Sequence, residues 1–198
     1  MMELTLEKTS WIHLCIDMQR MFAEKTPWQV PWMAKVSPQI HEIVGRHASR
    51  TIFTRFVPPR RAREMPGMWR HYYEKWEMMT LDQRGPDMVD LVPTLRAMVS
   101  PARIFDKMTY SPWINGELHR ALTKEGVDTI VMSGGETDVC VLAAVLGAID
   151  HGYRVVLLKD AVCSGTDGTH DASLEVLHDR FSVQVEFMQT EQFLSKAG

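Results

Sequence analysis

The chain has 198 residues, of which 45% are hydrophobic and 24% are charged, and its formal net charge is −3 at pH 7. These ordinary values exclude a disordered chain or a fibrous repeat and predict a single domain, 1–198, with a substantial core. The negative charge argues against nucleic-acid partners, and no apolar run reaches the roughly 18 residues that a membrane span needs.

The chain alternates short apolar runs with stretches whose apolar residues recur at helical spacing. In chain order we predict a strand at 11–17, a helix at 37–49, strands at 51–57 and 102–107, a helix at 116–126, a strand at 127–134, a helix at 139–152, a strand at 154–162, a helix at 169–181 and a strand at 182–188. Strands alternating with helices predict an α/β protein, with a three-layer Rossmann-like fold, a six-stranded mainly parallel sheet and helices on both faces.

The segment at about 60–95 does not fit this alternation and is rich in aromatic residues and methionine. It is interpreted as an insertion between the second and third strands. It could be a surface helix docked on the core, or it could wall a pocket with Trp69, Tyr73 and Trp76.

The first ten residues, MMELTLEKTS, carry acidic side chains and lack the basic and then apolar pattern of a signal peptide, so a cytoplasmic protein is expected. The three cysteines are an odd count with no CxxC pair. They predict neither a disulfide framework nor a thiolate zinc site, and each thiol is expected to be reduced.

Three reactive side chains follow predicted strands. Asp17 ends the first strand, Lys107 ends the third, and Cys140 follows the fourth in the stretch SGGETDVCV. Since the carboxyl ends of parallel strands form the ligand edge of such a sheet, we expect these three side chains to meet there. Each of them alone is weak evidence of catalysis.

The chemistry of this trio is that of a cysteine hydrolase. Cys140 would be the nucleophile, with its thiolate favoured by a helix start that Thr137 caps and by the Lys107 ammonium. Asp17 would accept the thiol proton, pass it to a leaving amine and later activate water. The turn at 134–137 could aim a second backbone amide, beside that of Cys140, at a developing oxyanion.

The segments LCIDMQRMF, DKMTYSPW and GGETDVCVLAAVLGAIDHGYRVVLLKDAVCS resemble the isochorismatase-like cysteine hydrolase family over nearly the whole chain. The resemblance implies a catalytic triad of Asp17, Lys107 and Cys140. It also implies a cis peptide bond between Gly135 and Glu136, and an oxyanion hole formed by the N–H groups of Glu136 and Cys140. Relatives suggest a homodimer or homotetramer.

The departures from the family pattern narrow the expected function. Nicotinamidases of this superfamily hold a metal with an Asp-x-His motif after the second strand, where this chain reads TRFVPPRRARE without histidine. No metal and no cofactor are therefore expected. The retained Cys140 favours carbon–nitrogen bond hydrolysis of a small amide or carbamoyl compound through a thioester. An enol-ether hydrolase of the isochorismatase type and a catalytically idle relative that binds a small molecule or a protein remain alternatives.

The substrate-binding residues are less sharply indicated. Phe22, Tyr110 and Trp113 lie close in sequence to Asp17 or Lys107 and are candidates to border the nucleophile, with core packing as the alternative for each. Glu136 stands where relatives keep a small residue. It would either face the pocket and select a polar or cationic substrate, or point to solvent. Cys15 and Cys163 are expected to take no part in catalysis.

Overall fold

The computed structural model describes residue 6 and residues 9–197, so most of the N-terminal stretch on which the signal-peptide expectation rests lies outside the described residues. The centre of the fold is a six-stranded sheet with the order β3-β2-β1-β4-β5-β6, and every pair of neighbours is parallel. This confirms the predicted sheet. The strands are β1 Trp11–Ile16, β2 Thr51–Phe56, β3 Arg103–Lys107, β4 Thr129–Gly135, β5 Arg154–Cys163 and β6 Val185–Met188.

Helices cover both faces of the sheet. They are α1 Arg20–Ala23, α2 Met33–His47, α3 Gly67–Lys75, α4 Leu81–Arg84, α5 Pro93–Arg96, α6 Glu117–Lys124, α7 Leu142–Asp150, α8 Asp167–Arg180 and α9 Thr190–Ala197. A π-helical turn, Thr137–Val141, precedes α7, and single 3-10 turns occur at Ala48–Arg50, Ala62–Glu64, Glu77–Met79 and Pro86–Val89. Side chains of α2 and α9 join one hydrophobic core, and those of α6 and α7 join a second. The predicted three-layer α/β architecture is confirmed.

The strand order reverses direction between β1 and β4. From β1 the chain moves through β2 to β3 on one side, and from β4 it moves through β5 to β6 on the other. The carboxyl ends of β1 and β4 are held together by pairing of Ile16 with Gly134. In open parallel sheets this switch point is where ligands bind.

Gly134 is required at this point by its backbone. Its φ is +105°, and an added Cβ would lie 2.1 Å from the carbonyl oxygen of Ile16 in the neighbouring strand. No side chain fits there, so the glycine lets β1 and β4 approach closely where Asp17 begins the next loop.

The second helix starts earlier than the predicted bounds of 37–49, at Met33, and contains Pro38 as an internal residue. Met33, Val36 and Ile40 are all buried at spacings of three and four residues. Burial of this stripe in the core therefore extends the helix past the proline, although the proline lacks one helical hydrogen bond.

The insertion folds into short helices and turns that pack on the core. Tyr73 is completely buried, and Trp69 and Trp76 are partly buried against the same core cluster. Among the described residues, no helix is long and apolar enough to cross a membrane.

Candidate active site

Asp17 is the residue that follows β1, and it is held rigidly. It is only 1% exposed and adopts a left-handed φ of 49°, which is uncommon outside glycine and is best tolerated by aspartate and asparagine. The Thr54 hydroxyl donates to Asp17 Oδ1 at 2.5 Å and accepts from the Asp17 backbone N–H at 3.2 Å. Thr54, which the sequence analysis did not single out, thereby fixes the carboxylate from β2.

Lys107 reaches the same carboxylate from the end of β3. Its Nζ donates to Asp17 Oδ2 at 2.6 Å and to the carbonyl oxygen of Thr109 at 3.2 Å, and its side chain is 3% exposed. Burial lowers the pKa of Lys107, but the charge of Asp17 and the neighbouring Cys140 outweigh that effect, so the pKa stands above its ordinary value. The lysine is therefore a fixed cation.

Cys140 lies in the π-helical turn with an exposure of only 7%. Its thiol lies close enough to Asp17 and Lys107 for both of them to shift its pKa. Burial raises the pKa of Cys140 well above its ordinary value, Asp17 raises it further, and Lys107 only partly opposes them. Burial and Asp17 therefore oppose the thiolate that the sequence analysis expects at Cys140, and Lys107 favours it.

The turn that carries Cys140 is built around Glu136. The peptide bond between Gly135 and Glu136 is cis. The carbonyl oxygen of Glu136 accepts from the amides of Val139 at 3.1 Å and Val141 at 3.0 Å, on either side of Cys140. These bonds fix the position of the nucleophile's backbone relative to the end of β4.

Side chains around the turn tie it to the loop after β5 and to α8. Asp138 accepts from the Ser164 hydroxyl at 2.5 Å, and the Thr137 hydroxyl lies 2.9 Å from Nδ1 of the buried His170 on α8. Thr137 makes no side-chain cap of its own helix, which corrects the expected cap. Its hydroxyl is used instead in a contact across the fold, which the local sequence does not reveal.

A cavity of about 280 Å³ opens above Cys140, slightly below the usual volume range of ligand pockets. Three predicted substrate-binding residues, Phe22, Tyr110 and Glu136, line it. The remaining lining residues are Pro27, Trp28, Gln29, Val30, Met33, Phe56, Tyr72, Gly135 and Val139. The insertion contributes Tyr72 to the lining of the cavity. The candidate wall residues Trp69, Tyr73 and Trp76 are not among the described lining residues and pack in or against the hydrophobic core instead.

Trp113 is absent from the described lining, so the structure corrects that prediction. It is buried in the core that contains α7, where its indole N–H donates to the carbonyl oxygen of Ala144 at 2.8 Å. An added Cβ on Gly147 would lie 2.2 Å from its ring. Trp113 thus supports the helix that follows Cys140.

Glu136 is half buried at the cavity wall. Its carboxylate accepts a hydrogen bond from the backbone N–H of Gly165, and burial, followed by the charge of Asp138, raises its pKa. Its charge also acts on the hydroxyls of Tyr72 and Tyr110. Of the two orientations that the sequence left open, the pocket-facing one is present.

Cys15 and Cys163 differ from Cys140 in their surroundings. Burial raises the pKa of each to about 12, and all three cysteines are free. Cys163 packs behind the turn, where an added Cβ on Gly135 would lie 3.0 Å from its sulfur. Neither thiol lines the cavity within the part of the chain described.

Comparison with known proteins gives the family. The model of the isochorismatase domain matches residues 12–191. The chain belongs to the isochorismatase family. Maleamate amidohydrolase of Pseudomonas putida is 30% identical to it over 71 residues, which is 36% of this chain and 33% of that enzyme. The match thus spans about a third of that relative's length.

Solved structures of isochorismatase-like proteins share the fold. A cysteine hydrolase from Pseudomonas syringae pv. phaseolicola 1448A superposes with a TM-score of 0.80 at 22% identity, covering 95% of this chain and 92% of that chain. N-carbamoylsarcosine amidase from Thermoplasma acidophilum gives a TM-score of 0.73 at 17% identity, covering 92% and 97%. At these identities the likeness concerns the fold.

The end of β2 is occupied by ion pairs. Arg55, near the end of β2, forms ion pairs with Asp106 at 2.7 Å and Asp90 at 3.2 Å. Among residue 6 and residues 9–197, no group of three or more histidine, cysteine, aspartate or glutamate side chains could hold a metal.

Proposed function

We propose that this isochorismatase-family hydrolase cleaves the carbon–nitrogen bond of a small amide or carbamoyl compound through a covalent thioester on Cys140, without a metal. The observation that carries the proposal is that Cys140 meets the buried pair of Asp17 and Lys107, whose Oδ2 and Nζ lie 2.6 Å apart. A nucleophile paired with an oriented base, at the floor of a small cavity, is the arrangement that acyl transfer needs.

In the first half of the reaction the Cys140 sulfur bonds to the carbonyl carbon while its proton moves to Asp17. The carbonyl oxygen becomes an oxyanion, and the backbone amides of Glu136 and Cys140 donate to it. The carbonyl then re-forms, the carbon–nitrogen bond breaks, and Asp17 protonates the leaving nitrogen. Ammonia or an amine leaves, and the thioester remains.

In the second half water replaces the amine. Its oxygen bonds to the thioester carbon while Asp17 accepts one of its protons, and the carbon–sulfur bond then breaks. The departing sulfur takes the proton back from Asp17, which restores the resting thiol. Lys107 holds the carboxyl group of Asp17 in position throughout, because its ammonium is buried against it.

The proposal is tested by substrate screening together with trapping. A library of small amides and carbamoyl compounds is assayed for ammonia release, and the intact protein is analysed by mass spectrometry during turnover. We expect an acyl adduct on Cys140 and loss of at least about a thousandfold in rate for Cys140→Ala. Cys15→Ala, which removes a thiol from β1, is the matched control and should stay active.

Two other outcomes would contradict the proposal. Turnover of an enol ether that survives in Cys140→Ala would assign the site to the isochorismatase type of reaction, which needs no acyl-enzyme. Tight ligand or protein binding without turnover of any compound would assign the chain as a binding relative.

The proposal includes a cytoplasmic setting and a homodimer or homotetramer, with no nucleic-acid or membrane partner. A reducing compartment suits a protein whose three cysteines are free. Sedimentation velocity on the purified chain tests the oligomer, and a monomer at micromolar concentration would contradict that part.

A further inference from the structure

Aromatic rings form much of the cavity wall. Phe22, Trp28, Tyr72 and Tyr110 all line it. Trp28 stands at the centre of this group, with its ring centroid 6.2 Å from that of Phe22 and 5.9 Å from that of Tyr72. Such rings attract cations through their negative faces, most strongly when the cation is shielded from water.

One ring at this edge already binds an ammonium group. The Nζ of Lys107 lies 5.1 Å from the ring centroid of Phe56, which is also a cavity-lining residue. Lys107 is not available to bind an anionic group of a substrate, because it is buried and its charge is compensated by Asp17. Among the described residues that line it, the site therefore has an aromatic surface and no unpaired cation.

The charge of the residues that line the cavity also favours a cationic ligand. Glu136 is the only charged side chain among the described residues that line the cavity. A carboxylate has two oxygens with about four acceptor positions, and the Gly165 amide accounts for one hydrogen bond. The negative charge of Glu136 is therefore left to attract a cationic group of a ligand, whether or not that group can donate a hydrogen bond.

We propose that the substrate carries an ammonium group, held between the aromatic rings of the cavity and the carboxylate of Glu136. This inference rests on the proposed function, since the ammonium compound is the amide or carbamoyl compound that Cys140 attacks. A substrate with a carboxylate in the same place would meet Glu136 instead of a cation and would be rejected by like-charge repulsion.

Binding to the inactive Cys140→Ala protein tests the inference without any chemical step. Three amides of matched length serve as probes: (4-amino-4-oxobutyl)trimethylammonium, its neutral isostere 5,5-dimethylhexanamide, and the anionic glutaramate. Isothermal calorimetry should give at least about tenfold tighter binding for the ammonium amide than for the neutral one, with glutaramate the weakest. Equal or tighter binding of either other probe, or no saturable binding of the ammonium amide, would overturn the inference.

Single substitutions in the Cys140→Ala protein test which side chains produce the preference for the ammonium amide. Glu136→Gln keeps the acceptor for Gly165 and removes the charge, so the ammonium amide should bind about tenfold more weakly while the neutral isostere is unaffected. Glu175→Gln removes a charge from an exposed position on α8 and should change neither affinity. Tyr72→Phe should retain the preference and Tyr72→Leu should reduce it. A preference that survives both Glu136→Gln and Tyr72→Leu would contradict the assigned groups.

Failure of this inference and failure of the proposed function give different results. If wild-type protein hydrolyses the neutral amide as fast as the ammonium amide, with an adduct on Cys140, the hydrolase proposal holds and the ammonium site does not. If the ammonium amide binds selectively but no compound is ever hydrolysed, the ammonium site holds and the hydrolase proposal does not.

Discussion

The Nζ of Lys107 lies 2.6 Å from Oδ2 of Asp17, and both side chains are almost completely buried. The two residues are 90 positions apart in the chain and reach each other from β3 and β1, across the intervening β2. Because both side chains are shielded from solvent, each charge is compensated mainly by its partner. The ion pair therefore links the stability of the fold to the chemistry of the site.

We first predict that breaking this pair from one side destabilises the protein strongly. Lys107→Met leaves the Asp17 carboxylate buried without its cation, so the free energy of unfolding should fall by about 3–5 kcal/mol. Urea unfolding followed by circular dichroism measures this. The double variant Asp17→Asn, Lys107→Met should recover a large part of the loss, because it leaves no unpaired charge. Additive losses in the two single variants would contradict the coupling.

A second prediction concerns the resting state of Cys140. Since burial and Asp17 raise its pKa, alkylation of Cys140 by iodoacetamide should be slow at neutral pH and should accelerate only above pH 9.0. Asp17→Asn removes a negative neighbour and should shift the pH profile to lower pH. Lys107→Met removes a positive neighbour and should shift it to higher pH.

Mass spectrometry of intact protein provides the alkylation measurement, with Cys140→Ala as the background for the other two thiols. A profile in wild-type protein with its midpoint below neutral pH would show a resting thiolate and contradict this assignment. Shifts of the same sign in the two variants would do so as well.

The third prediction uses two glycines inside helices. Gly147 on α7 faces Trp113, and an added Cβ would lie 2.2 Å from the indole ring. Gly147→Ala should therefore destabilise the protein by about 1–3 kcal/mol and reduce activity, since α7 follows the turn that holds Cys140. Gly45→Ala on α2 is the matched control, because no atom lies within 4 Å of its added Cβ. It should stabilise by about 0.4–1 kcal/mol.

Thermal unfolding and steady-state rates on the two variants check this prediction. If Gly147→Ala is as stable and active as wild type, Trp113 does not constrain α7. Trp113 would then be an ordinary core residue.

The strands and the candidate trio could be predicted because their signals are local. Fully buried parallel strands read as continuous apolar runs, and Asp17 and Lys107 were assigned from their positions at the predicted ends of two such runs. Once the sheet is parallel, topology brings those ends to one edge without any knowledge of side-chain packing. Cys140 could be assigned on the same basis, from its position in the turn that follows the fourth run.

The pocket wall depends on packing between distant segments, which local patterns do not encode. Trp28, Met33 and Tyr72 come from a loop, a helix start and the insertion, and they meet only in the folded chain. Trp113 is the reverse case, because the sequence predicts it in the pocket and the structure places it in the core. It stands six residues after Lys107, but the intervening chain carries it into the core beside α7. Nearness in sequence to a site residue does not place a side chain in the site.

The last prediction concerns His13, which is completely buried in β1. Its Nδ1 lies 3.1 Å from the Thr51 hydroxyl, and its Nε2 lies 2.7 Å from the Ser133 hydroxyl, next to the turn that carries Glu136. Thr51 donates its own proton to the carbonyl oxygen of His47, so Thr51 must accept from Nδ1–H. Nε2 then accepts from Ser133, and the neutral imidazole satisfies both contacts.

Burial, with a smaller contribution from His47, lowers the pKa of His13 from 6.5 to about 3. Between these two values the unfolded chain binds a proton at His13 and the folded chain does not. The free energy of unfolding should therefore fall as the pH drops below about 6.5, by up to about 1.4 kcal/mol per pH unit from this residue. Urea unfolding between pH 7.5 and 4.5 measures that slope. His13→Asn should reduce it, whereas His178→Asn, at an exposed position on α8, should leave it unchanged. Parallel pH profiles for wild type and His13→Asn would mean that the buried imidazole does not set the acid sensitivity of the fold.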